Sequence, residues 1–118
     1  MKRDIDLIRT ILIELEQKES PNDWFRPEIE GYSADVVSYH IKILSEAGYI
    51  EARDLSTKDG FNWVATSLTW QGHEFLDAAR NDTIWQKAKV TLGKKLSSIS
   101  MEVLKSLLTN LTKQQLGL

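Results

Sequence analysis

Residues 33–50 read SADVVSYHIKILSEAGYI, and the reading of this stretch decides the fold. Ser33 is placed to cap a helix, with Asp35 in its first turn. Val36, His40, Ile43, Leu44 and Ala47 recur at three- and four-residue spacing and predict the buried face, flanked by Val37 and Ile41. Ser38, Tyr39, Lys42, Ser45 and Glu46 then fall toward solvent. Gly48 stands where a left-handed residue ends a helix, and Tyr49 and Ile50 follow as the hydrophobic closure. The chain therefore leaves this helix directly into a strand.

That strand is expected from Ile50 to Leu55. The polar stretch 56–60, STKDG, contains Asp-Gly, a strong hairpin signal, and a return strand follows from about Phe61 to Leu68. Alternation puts Val64 and Leu68 on one face and Phe61, Trp63 and Ala65 on the other. Both faces are partly apolar, which a hairpin facing only water would avoid. Later helices are expected to cover Phe61 and Trp63; the alternative is a partner surface.

Outward from this centre, Asp4 to Lys18 reads as an amphipathic helix. Ile5, Ile8, Ile11, Leu12 and Leu15 form its stripe, and Asp4 or Asp6 suits its cap. Pro21 and Asn22 stop it. The segment 24–29, WFRPEI, reads as a short edge strand or extended piece, which leaves little room for a further helix before Ser33. Past the hairpin, Thr69 is expected to cap a helix to about Arg80, with Phe75, Leu76 and Ala79 inward. Gly72 occupies the position where a capping box would carry Glu. Asn81, Asp82 and Thr83 mark a break, with Asp82 expected to cap the next stretch of helix, Trp85 to about Leu92, in which Trp85, Ala88 and Leu92 share a face. Gly93 to Ser100 reads as a polar loop, and Met101 to about Gln115 as a last helix.

The fold class that follows is α+β, mostly α, with a two-stranded hairpin and extra C-terminal helices. At 118 residues there is room for one compact domain, here 1–83, and an appended basic helical element, 84–118. Residues 1–83 carry 9 Lys+Arg against 16 Asp+Glu, a balance of −7, whereas 84–118 carry 6 Lys against Glu102 alone, +5. The absence of cysteine removes disulfides and thiolate chemistry and fits a cytoplasmic protein. Asp4, Asp6, Arg9 and Glu14 interrupt the first apolar stretch, so neither a signal peptide nor a membrane span is expected.

Two stretches, YHIKILSEAGYI at 39–50 and LTWQGHEFLDAAR at 68–80, resemble the recognition helix and the closing strand-to-helix junction of winged-helix domains. Together with MKRDIDLIR at the start and VLKSLLTNL near the end, they resemble a family of small bacterial and phage proteins catalogued as domain of unknown function 2513. The resemblance implies a winged-helix-like core, a phage or prophage setting and no assigned activity. It supplies no functional residues. The short connection before Ser33 departs from the usual helix-turn-helix pair.

The residues themselves point away from catalysis. His40 and His73 are the only histidines, and neither has the His-Glu-x-x-His spacing of a zinc helix. No nucleophile elbow and no phosphate-cradling glycine loop is present, so no enzyme, cofactor or metal is expected. His40 is expected to bond a nearby carbonyl rather than act as a base. A winged-helix protein would contact double-stranded DNA through Ser38, Tyr39 and Lys42 on the helix and Arg53 and Lys58 on the wing. Asp35, Glu46, Asp54 and Asp59 oppose these few cations. The other expectation is a protein-interaction module using Phe61 and Trp63, with Lys87, Lys89, Lys94 and Lys95 as a further partner surface or as a solvated helix face. Leu104, Leu107, Leu108 and Leu111 form a stripe in the last helix that either completes the core or, as favoured, pairs with a second copy in a homodimer.

Overall fold

A computed structural model describes residues 1–118. The elements are α1 (Ile5–Glu16), α2 (Ala34–Glu46), β1 (Ile50–Asp54), β2 (Trp63–Leu68), α3 (Trp70–Ala79), α4 (Asp82–Leu92), a 3₁₀ turn (Gly93–Ser97) and α5 (Met101–Leu116). The fold is α+β and mostly helical, with one antiparallel two-stranded sheet. No helix is long and apolar enough to cross a membrane. The chain falls into two compact units, Met1–His73 and Glu74–Leu118.

In the first unit the helix ends are built as the residues dictate. Asp4 is the cap of α1, its carboxylate accepting the Leu7 N–H, and Ser33 caps α2 by accepting from Val36 N–H. At the far end of α2, Gly48 has φ 84°, the Gly48 N–H donates to the Ser45 carbonyl and the Tyr49 N–H to the Leu44 carbonyl. This pair of bonds is the Schellman arrangement, and it aims the chain into β1. No helix forms between α1 and α2. Instead Phe25 makes a single antiparallel bridge to Ala65, exchanging two bonds of 2.8 Å. The WFRPEI segment thus lies along one edge of β2, and β1 lies along the other.

Two expectations change here. The buried side of α2 is Val37, Ser38, His40, Ile41 and Leu44, while Ala47 is exposed. The stripe is rotated because α1 and both strands pack on α2, which widens the arc it must bury. In β2, Glu51 pairs with Ser67 but Ala52 with Ala65, so Thr66 is an extra residue, a β-bulge. The bulge moves Leu68 to the face shared by Ala65 and Trp63, opposite to Val64.

The start of α3 is fastened to the α2–β1 corner. The Thr69 hydroxyl accepts from the Gly72 N–H and donates to the Gly48 carbonyl at 2.6 Å, and the Thr69 N–H reaches the Tyr49 carbonyl. A Cβ at Gly72 would stand 2.0 Å from the Tyr49 oxygen. Close approach of backbones, not a missing capping box, explains this glycine.

The second unit buries Phe75, Leu76, Ala79, Ile84, Trp85, Ala88, Leu104 and Leu108, with α4 packed on α5. Asn81 rather than Asp82 caps α4, accepting from Ile84 N–H, because the side chain one residue earlier reaches that amide. Leu92 is only half-buried. Leu104 and Leu108 are fully buried within a single chain, where α5 packs on α4. Leu107 and Leu111 keep part of their surface.

Candidate nucleic-acid interface

The residues expected to meet DNA lie on α2 and on the hairpin. Ser38 does not face solvent: it is fully buried and its hydroxyl accepts the Trp63 N–H at 3.2 Å, so it holds the hairpin against α2 and is withdrawn from the contact set. Tyr39 is half-buried, its ring edge-on to His40 with centroids 5.9 Å apart. Lys42 forms an ion pair with Glu46 at 3.7 Å. Asp54 feels the charge of the same lysine. Its carboxyl is held below the usual range, first by the Ser56 hydroxyl, then by the Ser56 N–H, and also by the charge of Lys42. The helix cation is therefore already paired with Glu46 before any ligand arrives.

The hairpin carries exposed Arg53 and Lys58. Arg53 lies over the ring of Trp24, 5.9 Å from its centroid, and Trp24 is 56% exposed. This contact escapes a reading by element, since Trp24 and Arg53 approach only because Phe25 docks beside β2. Arg26, in the same segment, donates to the Asn62 side chain. Phe61 remains exposed at the hairpin end and Trp63 is half-buried, so Phe61 is not covered as expected. In the second unit Lys87, Lys94 and Lys95 are exposed and Lys89 is half-buried.

Behind this surface lies a polar network that holds α1 to α2. His40 is fully buried. Its Nδ1 sits 2.8 Å from the Val36 carbonyl, which can only accept, so Nδ1 carries the proton. Its Nε2 accepts the Asp4 N–H at 2.9 Å. The Asp4 carboxylate in turn accepts the Tyr32 hydroxyl at 2.7 Å. Both ring nitrogens are occupied, so His40 is a positioning residue of the fold and offers no free base.

Tyr32 records this network in its titration. The hydrogen bond to Asp4, then burial, then the charges of Asp4 and Asp6 push its phenol up to about 12. A raised pKa means that folding favours the protonated phenol. The stabilisation is therefore complete below about pH 10, the ordinary tyrosine value, and is lost as pH climbs through the folded value. Tyr32→Phe is expected to cost roughly 1 kcal/mol near neutrality, the usual net value of one hydrogen bond. It should also remove the late phenolate absorbance step near pH 12. Persistence of that step in the variant would show that another phenol carries it.

The chain is similar to known sequences over its whole length. A family model described as a hypothetical protein, DUF2513, matches residues 2–99. A relative from Haemophilus influenzae strain Rd, described only as an uncharacterized protein, is 41% identical over 118 residues, covering 99% of this chain and 100% of the relative. No solved structure matches.

Proposed function

The chain belongs to the hypothetical-protein family DUF2513, and from that premise we propose that it is a non-enzymatic, winged-helix nucleic-acid-binding or regulatory protein. The observation that carries this reading is the arrangement around β2. An extended segment ahead of α2 bridges one edge of β2, α2 ends in a Gly turn, and the chain enters β1 on the other edge. A winged helix has this order, with the strand before the recognition helix beside the returning strand of the wing. The second helix of a helix-turn-helix pair is missing here, so the contact set shifts from α2 toward the wing. Arg53 and Lys58 are the exposed hairpin cations, and Lys42 contributes only when Glu46 releases it. A cytoplasmic, phage-type or prophage-type setting accords with the cysteine-free sequence and the resemblance described above.

Fluorescence anisotropy with labelled mixed-sequence duplex DNA tests the reading. Binding should be weak and salt-sensitive, and Lys42→Ala or Arg53→Ala should each reduce the salt slope by about one, as loss of a phosphate contact does. Absence of binding at low salt would overturn it. A second reading, a protein-interaction module, is favoured by Trp70, which is 79% exposed at the start of α3, in a first unit with 8 Lys+Arg against 13 Asp+Glu. A stoichiometric protein complex lost on Trp70→Ala, in a protein that ignores DNA, would select that reading.

A further inference from the structure

We propose that the outer face of the sheet, built from Trp24, Arg26 and Arg53, stacks unpaired bases of a single-stranded nucleic acid. The inference deepens the nucleic-acid reading above and rests on it.

Strand register places these residues together. β1 pairs Arg53 with Val64. The antiparallel bridge of Phe25 to Ala65 sets Arg26 beside Val64 and Trp24 beside Thr66. Residues paired across strands share a face, so Arg26, Val64 and Arg53 form one row across the sheet, and Trp24 projects from the same side. With neighbouring strands about 4.8 Å apart, the two arginine positions lie roughly 10 Å apart, with Val64 between them. The Arg53–Trp24 contact spans β2, and Val64 between these strands is only 7% exposed while Trp24 is 56% exposed. The indole is thus raised on the surface and anchored from one side.

This arrangement suits an unpaired base. An indole offers a sequence-tolerant stacking surface, and an arginine guanidinium plane does the same. Arg26 is oriented by Asn62 and retains further N–H donors for a phosphate, because a guanidinium has five. A ring already held by a cation–π contact loses little freedom when a base arrives. In a duplex the base faces are stacked on one another, so an exposed indole on a sheet has little to meet there. Glu51, two residues from Arg53 on the same face, repels phosphate at one end. Arg26, Lys58 and Phe61 lie toward the hairpin end, where Asp54 and Asp59 are also exposed.

The test uses the full chain with labelled oligothymidylate, oligouridylate and a mixed-sequence duplex. Single strands should bind with quenching of tryptophan fluorescence. Trp24→Ala should weaken single-strand binding on the order of 10-fold, the effect of losing one stacked base, while Trp24→Phe should retain most of it. A preference for either oligonucleotide supports the proposal and identifies the strand as DNA or RNA. Duplex binding without single-strand binding would overturn this proposal and leave the winged-helix reading standing. Binding of no nucleic acid would overturn both. Equal losses in the alanine and phenylalanine variants, with a lowered melting midpoint in each, would assign Trp24 a purely structural role and also overturn it.

Discussion

Gly72→Ala is expected to lower the melting midpoint by roughly 10 °C, equivalent to about 3 kcal/mol in a chain of this size. The added Cβ would stand 2.0 Å from the Tyr49 carbonyl oxygen and 3.1 Å from its carbon. These are backbone atoms, so no rotamer change relieves the clash, and the cost belongs at the upper end of the overpacking range. Relief requires the first turn of α3 to move away from the α2–β1 corner. That movement strains the Thr69 bonds to Gly48 and Tyr49, which fix where the hairpin leaves α2. Gly60→Ala is the matched control, because a Cβ there meets nothing within 4 Å and its φ is not in the left-handed region. Calorimetry on the two variants separates the sites. Equal melting midpoints would refute close packing at the corner. On the nucleic-acid reading proposed above, the substitution should also weaken binding, since Arg53 is carried by the hairpin that this corner aims.

Leu108→Ala is expected to cost between about 2 and 5 kcal/mol, the range for truncating a fully buried leucine. Leu108 and Leu104 are inaccessible to solvent within one chain, where α5 packs on α4. The loss should therefore be the same at every protein concentration. A stripe buried between two copies would instead give a midpoint that rises with concentration, because association stabilises by mass action. Leu107→Ala should cost less, since that side chain is only half-buried. Thermal melts over a wide concentration range decide the matter. A midpoint that climbs with concentration in wild type and flattens in Leu108→Ala would return the stripe to an interface between copies.

The chemistry of the candidate surface was legible only in fragments. Arg53 and Lys58 stand out as hairpin cations, because a turn signal and a Gly stop locate the hairpin in the chain. Trp24 and Arg26 do not, since a proline-containing segment of six residues gives no face until it is known what it pairs with. Ser38 misled for a related reason. A small polar residue on a helix reads as solvent-facing, but here its hydroxyl is the acceptor for a strand N–H 25 positions away.

Local hydrogen bonding explains what could be read directly. The Asp4 and Ser33 caps, the Gly48 stop and the Thr69 start each satisfy backbone groups within a few residues of themselves, so residue type and spacing are enough to locate them. With those points located, α1, the long helix at residues 34–46 and the hairpin after it follow in order. Packing settled the remainder. The rotation of α2, the Thr66 bulge, the Asp4–Tyr32–His40 network and the Trp24–Arg53 stack all join segments far apart in the chain. Periodicity identifies an apolar stripe, but the neighbours determine how wide the buried arc becomes and which buried polar groups must find partners. The helix in SADVVSYHIKILSEAGYI was thus encoded locally, whereas the face it presents to a ligand was set by everything packed against it.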